Sequence, residues 1–257
     1  MTRPLLLAAF LTLTTLPAMA DSPYEAFEFT GSNGKVLPCR LLKPAGYDPN
    51  GSEKYPVVVF LHGAGERGSD NNAQLVHCCG RFLEDDLRTK HPCFVLAPQC
   101  PKDEKWANVD WSSDHHSMMK EPSSSMQLVI EVLDKLEKEY RIDTDREYVM
   151  GLSMGGYGTW DLVSRMPTRF AAAVPICGGA DEAQAPKIAK LPVWVFHGDK
   201  DGAVKVIRSQ RMVAALKEAG GNPKYTEYPG VGHNSWTPAM QEPGLFDWLF
   251  AQHRASE

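Results

Sequence analysis

The stretch EYVMGLSMGGYGTWDLVSR, residues 147–165, forces a strand, a sharp turn and a helix into nineteen consecutive residues. Tyr148–Met150 is a short apolar run. Gly151-Leu152-Ser153-Met154-Gly155 follows, and then a helix-compatible segment sets Tyr157, Trp160, Leu162 and Val163 toward a core. A G-x-S-x-G turn between strand and helix is tight enough to hold its serine in strained backbone geometry. The positions two before and two after that serine must then carry almost no side chain, and Gly151 and Gly155 meet that demand. The geometry predicts Ser153 exposed at the carboxyl edge of a sheet. The free N–H groups of the helix start lie beneath it, where negative charge is favoured.

The rest of the chain supplies the sheet. Glu25–Thr30 and Val36–Lys43 flank Gly31-Ser32-Asn33-Gly34, and Asn-Gly signals a hairpin. Beyond a Gly/Pro-rich linker, Val57–Leu61, Phe94–Ala97, Tyr148–Met150, Ala172–Ile176, Val193–His197 and Tyr225–Tyr228 read as strands. Helical patterns fall between most of them, at Met126–Tyr140, Val204–Ala219 and Pro243–Gln252. Strands alternating with helices predict a mostly parallel sheet covered on both faces. No repeat or low-complexity tract divides the chain, so one α/β catalytic domain is expected over 21–257. Residues 98–125 break the alternation with a long polar stretch bearing Trp106 and Trp111. It reads either as a wall of the substrate cleft or as an excursion whose tryptophans pack on the core.

A serine hydroxyl is a poor nucleophile until a base within hydrogen-bond reach takes its proton and a carboxylate orients that base. In this kind of sheet the expected chain order is serine, acid, histidine. Past the strand at 193–197 comes His197-Gly198-Asp199-Lys200-Asp201-Gly202-Ala203-Val204. The G-x-x-D-x-x-V spacing selects Asp201 as the acid, with Asp199 as competitor in a turn or supporting place. Past the strand at 225–228 comes Gly230-Val231-Gly232-His233-Asn234-Ser235-Trp236, in which His233 is the candidate base and Trp236 a candidate cleft residue. An oxyanion needs two preorganised donors. The N–H of Met154 is one. The loop His62-Gly63-Ala64-Gly65-Glu66-Arg67-Gly68 offers the other, assigned to Ala64 with Gly65 as the alternative. His62 is expected to hold this loop, and Glu66 and Arg67 to pair at the surface.

With those sites placed, the chain resembles the α/β-hydrolase superfamily. It is most similar to the branch that joins dienelactone-hydrolase and prolyl-oligopeptidase-like "predicted peptidases", phospholipase/carboxylesterases, and feruloyl-esterase or polyhydroxybutyrate-depolymerase-like enzymes. The matching segments are FLHGAGERG at 60–68, LAPQCP at 96–101, GLSMGGYGTWDL at 151–162, FHGDKDGAV at 196–204 and GVGHNSW at 230–236. The resemblance implies a twisted eight-stranded sheet with an antiparallel start. It implies a triad of Ser153, Asp201 and His233, and neither a metal nor an organic cofactor. Carboxylic-ester hydrolysis is the expected activity; amide hydrolysis of short peptides by the same triad, or ligand binding without catalysis, are the alternatives.

The first residues carry Arg3, an apolar run from Leu5 to Leu16, and Pro17-Ala18-Met19-Ala20. That pattern predicts a secretory leader cleaved after Ala20, and hence a periplasmic or extracellular product. The apolar run is shorter than the roughly 20 residues of a membrane span. A net charge of −5 without a basic block disfavours nucleic acid or anionic lipid as a partner. Export permits disulfides among Cys39, Cys78, Cys79, Cys93, Cys100 and Cys177, but sequence does not choose a pairing. The adjacent Cys78 and Cys79 are not expected to bridge each other, and Cys93 and Cys100, at the two ends of an extended strand, lie too far apart. His77-Cys78-Cys79 and His91-x-Cys93 lack the paired spacing of zinc sites. Cys177, after a central strand, either lines the site or fills a gap.

Overall fold

A computed structural model describes residues 22–254. The predicted leader lies outside them. Among the described residues, no helix is long and apolar enough to cross a membrane.

Eight strands form one sheet in the order β1-β2-β4-β3-β5-β6-β7-β8. They are β1 (Tyr24–Thr30), β2 (Val36–Leu42), β3 (Tyr55–Leu61), β4 (Phe94–Pro98), β5 (Ile142–Leu152), β6 (Ala172–Ile176), β7 (Trp194–Gly198) and β8 (Lys224–Tyr228). β1 and β2 form the expected hairpin, with Gly34 at φ 74° in its turn. β2 joins β4 antiparallel, and every later pairing is parallel. This is the α/β-hydrolase fold. The α-helices are α1 (Asp85–Lys90), α2 (Ser124–Glu139), α3 (Met154–Arg165), α4 (Ala185–Ile188), α5 (Ile207–Glu218), α6 (Trp236–Ala239) and α7 (Leu245–Phe250).

Two apolar layers sandwich the sheet. β3, β4 and β6 are buried at every residue, so alternate side chains enter opposite layers. Val57, Val59 and Leu61 pack on α2, α3 and α5. Val58 and Phe60 pack on α1, α6 and α7. α2 starts where the Ser123 hydroxyl accepts the Met126 N–H at 3.0 Å. It buries Met126, Leu128, Val129, Val132, Leu133 and Leu136 along one stripe. Each such side chain contributes roughly 1.5–3 kcal/mol by leaving water.

The topology positions the site. From β3 the chain steps outward to β4, then returns past β3 to β5 and continues the other way. Such a reversal opens a crevice beyond the carboxyl ends of the two central strands. Leu61 of β3 is in register with Gly151 of β5, so the loop after one strand lies beside the turn after the other.

Candidate active site

β5 ends at Leu152 and α3 begins at Met154, leaving Ser153 alone to make the turn, at φ 52° and ψ −116°. A β-carbon on Gly151 would stand 2.3 Å from the Gly155 carbonyl oxygen, and one on Gly155 would stand 1.8 Å from that of Leu61. Backbone occupies both places, so both positions demand glycine. The Ser153 N–H donates to the Ile176 carbonyl at 2.9 Å, which anchors the strained residue to β6. A positive φ at a non-glycine residue costs of order 1–3 kcal/mol and persists only where its surroundings impose it.

The predicted base and acid arrive from the next two strand ends. Ser153 Oγ lies 2.8 Å from His233 Nε2, and His233 Nδ1 lies 2.7 Å from Asp201 Oδ2. A carboxylate only accepts, so Nδ1 carries the proton and Nε2 presents its lone pair to the serine. The Asp201 side chain has no solvent exposure. Its other oxygen accepts the N–H groups of Ala203 and Val204, each at 2.8 Å. Burial alone would raise the Asp201 carboxyl, but hydrogen bonding from His197, His233 and these two amides outweighs burial and holds it well below the usual carboxylate range.

Across the crevice, Gly63 leads into a single 3-10 turn, Ala64–Glu66. A β-carbon on Gly63 would be 3.7 Å from Ser153 Cβ. The Ala64 loop therefore flanks the serine on one side. Met154, as first residue of α3, has an N–H with no intrahelical acceptor on the other. His62 holds this loop in place. Its Nδ1 donates to the Gly63 carbonyl at 2.6 Å and its Nε2 accepts the Cys100 N–H at 2.9 Å. Burial lowers its pKa to about 4, so the ring is neutral at pH 7 and can accept.

Known proteins resemble this chain. The model of the phospholipase/carboxylesterase family matches residues 48–245, which include the serine turn, the acid, the histidine and the loop after β3. The chain belongs to that family. A probable carboxylesterase of Oryza sativa subsp. japonica is 26% identical over 236 residues, 86% of each chain. A bifunctional acetylxylan esterase/xylanase of Neocallimastix patriciarum is 32% identical over 125 residues, 44% of this chain and 18% of that protein. The crystal structure of a thermostable esterase matches with a TM-score of 0.83 at 41% identity, covering 90% of this chain and 64% of that one. The chain thus spans less than a fifth of the bifunctional esterase/xylanase and somewhat under two thirds of the thermostable esterase.

Within this family member, the 98–125 segment takes the second of its two readings at Trp106, and the expected Glu66–Arg67 pair is not formed. Trp106 does not line a cleft. It is fully buried, and its indole N–H donates to the His62 carbonyl at 3.0 Å, so it braces the Ala64 loop from behind. Glu66 and Arg67 do not pair. Arg67 turns to the carbonyls of Ala64 and Glu104, while Glu66 faces His77. Trp111 caps a small cluster of Ala107, Val109, Tyr157 and Val204, adjoining the Asp201 turn. Trp236 stands edge-on to His233, with ring centres 5.5 Å apart. Gly65 faces open space. Ser113 and His116, in the long 98–125 excursion, are held by the buried Arg208 of α5.

Three supporting residues complete the site. His197, fully buried, lies 3.2 Å from Asp201 Oδ2 and donates to the Val204 carbonyl at 2.9 Å. Its place before Gly198 in HGDKDG is the only sequence hint of this role. Asp199 accepts the Gly230 N–H at 2.7 Å and so ties the histidine loop to β7. Cys177 fills the space beneath the triad. Its Sγ, Asp201 and His233 offer ligand atoms within 4.8 Å of one another. Burial pushes this thiol up to about 12, and Asp201 already accepts N–H groups on both oxygens, so the trio is occupied by hydrogen bonding and suits a metal poorly. All six cysteines are free thiols.

Proposed function

We propose that this protein is an exported serine esterase that cleaves carboxylic esters through an acyl-enzyme. The observation that carries the reading is the unbroken line from Ser153 Oγ through His233 to Asp201, at 2.8 and 2.7 Å, beside the Ala64 loop. In this mechanism His233 Nε2 takes the serine proton as Oγ attacks the acyl carbon. The carbonyl oxygen becomes an oxyanion and gains its bonds from the N–H groups of Ala64 and Met154. Asp201 stabilises the imidazolium that forms. His233 then delivers the proton to the departing alcohol. Water enters, loses a proton to His233 and releases the acid, restoring the serine. Every step uses side chains and backbone of this chain.

The substrates proposed are small or polymer-borne esters. The acetylxylan esterase relative supports the second kind. Export rests on the predicted leader Met1–Ala20. The test is a hydrolysis panel on purified residues 21–257, with Ser153→Ala as blank. It holds p-nitrophenyl esters of graded length, methyl ferulate, a lactone and peptide anilides. Serine-dependent ester turnover is expected. Turnover of anilides without esters would transfer the protein to the peptidases.

A further inference from the structure

Glu66 is a nearly buried acid beside the candidate nucleophile. The turn that carries it is fixed on both sides, since Gln99 Nε2 donates to its carbonyl at 3.1 Å and Arg67 Nε donates to that of Ala64 at 2.9 Å. The side chain is directed back over Gly63 and is only 13% exposed. Its Oε2 is buried and has no hydrogen-bond partner. A carboxyl oxygen removed from water without a partner is costly and calls for a ligand or a reason. The neighbouring Arg67 does not answer it, since its guanidinium turns to the Ala64 and Glu104 carbonyls.

The position is next to the chemistry. A β-carbon on Gly63 would lie 3.0 Å from Glu66 Oε2 and 3.7 Å from Ser153 Cβ. Only the missing side chain of a glycine separates the carboxyl from the nucleophile. Glu66 Oε1 is 3.6 Å from Nε2 of His77, too long for a hydrogen bond. His77 leans on Trp236 with ring centres 5.4 Å apart, and Trp236 in turn meets His233. An acceptor, an imidazole nitrogen and an aromatic face therefore surround one side of Ser153.

We propose that Glu66 and His77 form a subsite that binds a free hydroxyl group on the carbon next to the ester-bearing carbon, as in an ester of a sugar or other polyol. A hydroxyl seated beside this pair can donate to the Glu66 carboxylate, which has an unpartnered oxygen, and accept from the His77 ring at about 2.8 Å each. Trp236 supplies an apolar face for the ring of such a substrate. The subsite deepens the esterase reading and rests on it.

The experiment compares trans-2-hydroxycyclohexyl acetate with cyclohexyl acetate, two esters that differ in one hydroxyl. Wild type should favour the hydroxyl-bearing ester in kcat/KM by about tenfold to a hundredfold, the range for a hydrogen bond to a charged group. Glu66→Gln should shrink that ratio several-fold and Glu66→Ala should bring it near unity. His77→Phe, which keeps the ring packing, should shrink it as well. Fluorophosphonate labelling of Ser153 checks that each variant keeps a working nucleophile. A wild-type ratio near one, or a ratio unchanged in the labelling-competent variants, overturns the subsite while the esterase reading stands. No serine-dependent turnover of either ester overturns both.

Discussion

Gly155→Ala tests the crevice with one methyl group. The added carbon would sit 1.8 Å from the Leu61 carbonyl oxygen, 2.5 Å from its carbon and 2.8 Å from the His62 oxygen. An ordinary carbon–oxygen contact is about 3.3 Å, so α3 and the end of β3 must part by roughly 1.5 Å. Overpacking of a core costs about 1–3 kcal/mol. Here the clash is with backbone at the end of a buried strand, so the upper figure of about 3 kcal/mol applies. For a domain of this size that lowers Tm by about 6–12 °C. The movement also separates Met154 from Ala64, and a misplacement of about 1 Å costs on the order of 100-fold in rate. Thermal unfolding by circular dichroism and kcat/KM on p-nitrophenyl acetate read the two effects. Gly80→Ala, where the new carbon meets nothing within 4 Å, is the control. If Gly155→Ala matched the control in both readouts, β3 and α3 would not meet as described, and the two-donor account of the oxyanion would fall.

Ser153→Ala should lower turnover by at least ~10³ while leaving Tm intact or raised, since it removes the nucleophile at a residue held by its backbone; full activity would remove Ser153 from the mechanism. Trp106→Phe deletes the donor to the His62 carbonyl and should cost about 1–2 kcal/mol with a drop in kcat larger than any change in KM. The opposite split, in KM alone, would return Trp106 to substrate binding. Acid should destabilise the protein before the carboxylates titrate. His62 is neutral in the fold down to pH about 4, whereas the unfolded ring takes a proton near pH 6.5, so stability falls as pH drops through that window and His62 adds no further loss below it. The His62 share is about 2 kcal/mol between pH 7 and pH 5. Urea unfolding at the two pH values measures it, and an equal slope in His62→Gln would show that the proton goes elsewhere.

The proposed triad is legible in sequence because its backbone demands are local. A serine between glycines at a strand end admits few conformations, and Asp201 and His233 each follow a strand by a short, glycine-bearing loop. Strand boundaries were less legible. β5 begins at Ile142, ahead of the charged run Asp143–Arg146, because Ile142 pairs with Tyr55 and the run lies in the register shift before Glu147 pairs with Val57. The short turns of 64–83 have no periodicity to read, being set by contacts such as Asp70 Oδ1 with the N–H groups of Asn72 and Ala73. Trp106 could not be assigned from sequence for a related reason. A tryptophan in a long polar segment suits a cleft wall or the core equally, until the fold brings the His62 carbonyl to its indole N–H. The Glu66–His77 pair was invisible, since adjacency of Arg67 in sequence suggested a partner that the 3-10 turn rotates away.

Among the described residues, β8 is an edge strand, with β7 as its sole neighbour and no fully buried residue. The proposed base hangs from the loop that follows it. Edges are where a native protein opens first, at a small fraction of the free energy of global unfolding. Such fraying would carry His233 away while Ser153, locked between β6 and α3, stayed in place. Against it stand the Asp199 side chain on Gly230 and the Lys200 N–H on the Val231 carbonyl at 2.9 Å. The fold therefore divides its labour unevenly: the proposed nucleophile inherits the permanence of the core, while the proposed proton shuttle lives on the lease of a single strand, and heat should silence the proposed activity while most of the sheet is still intact.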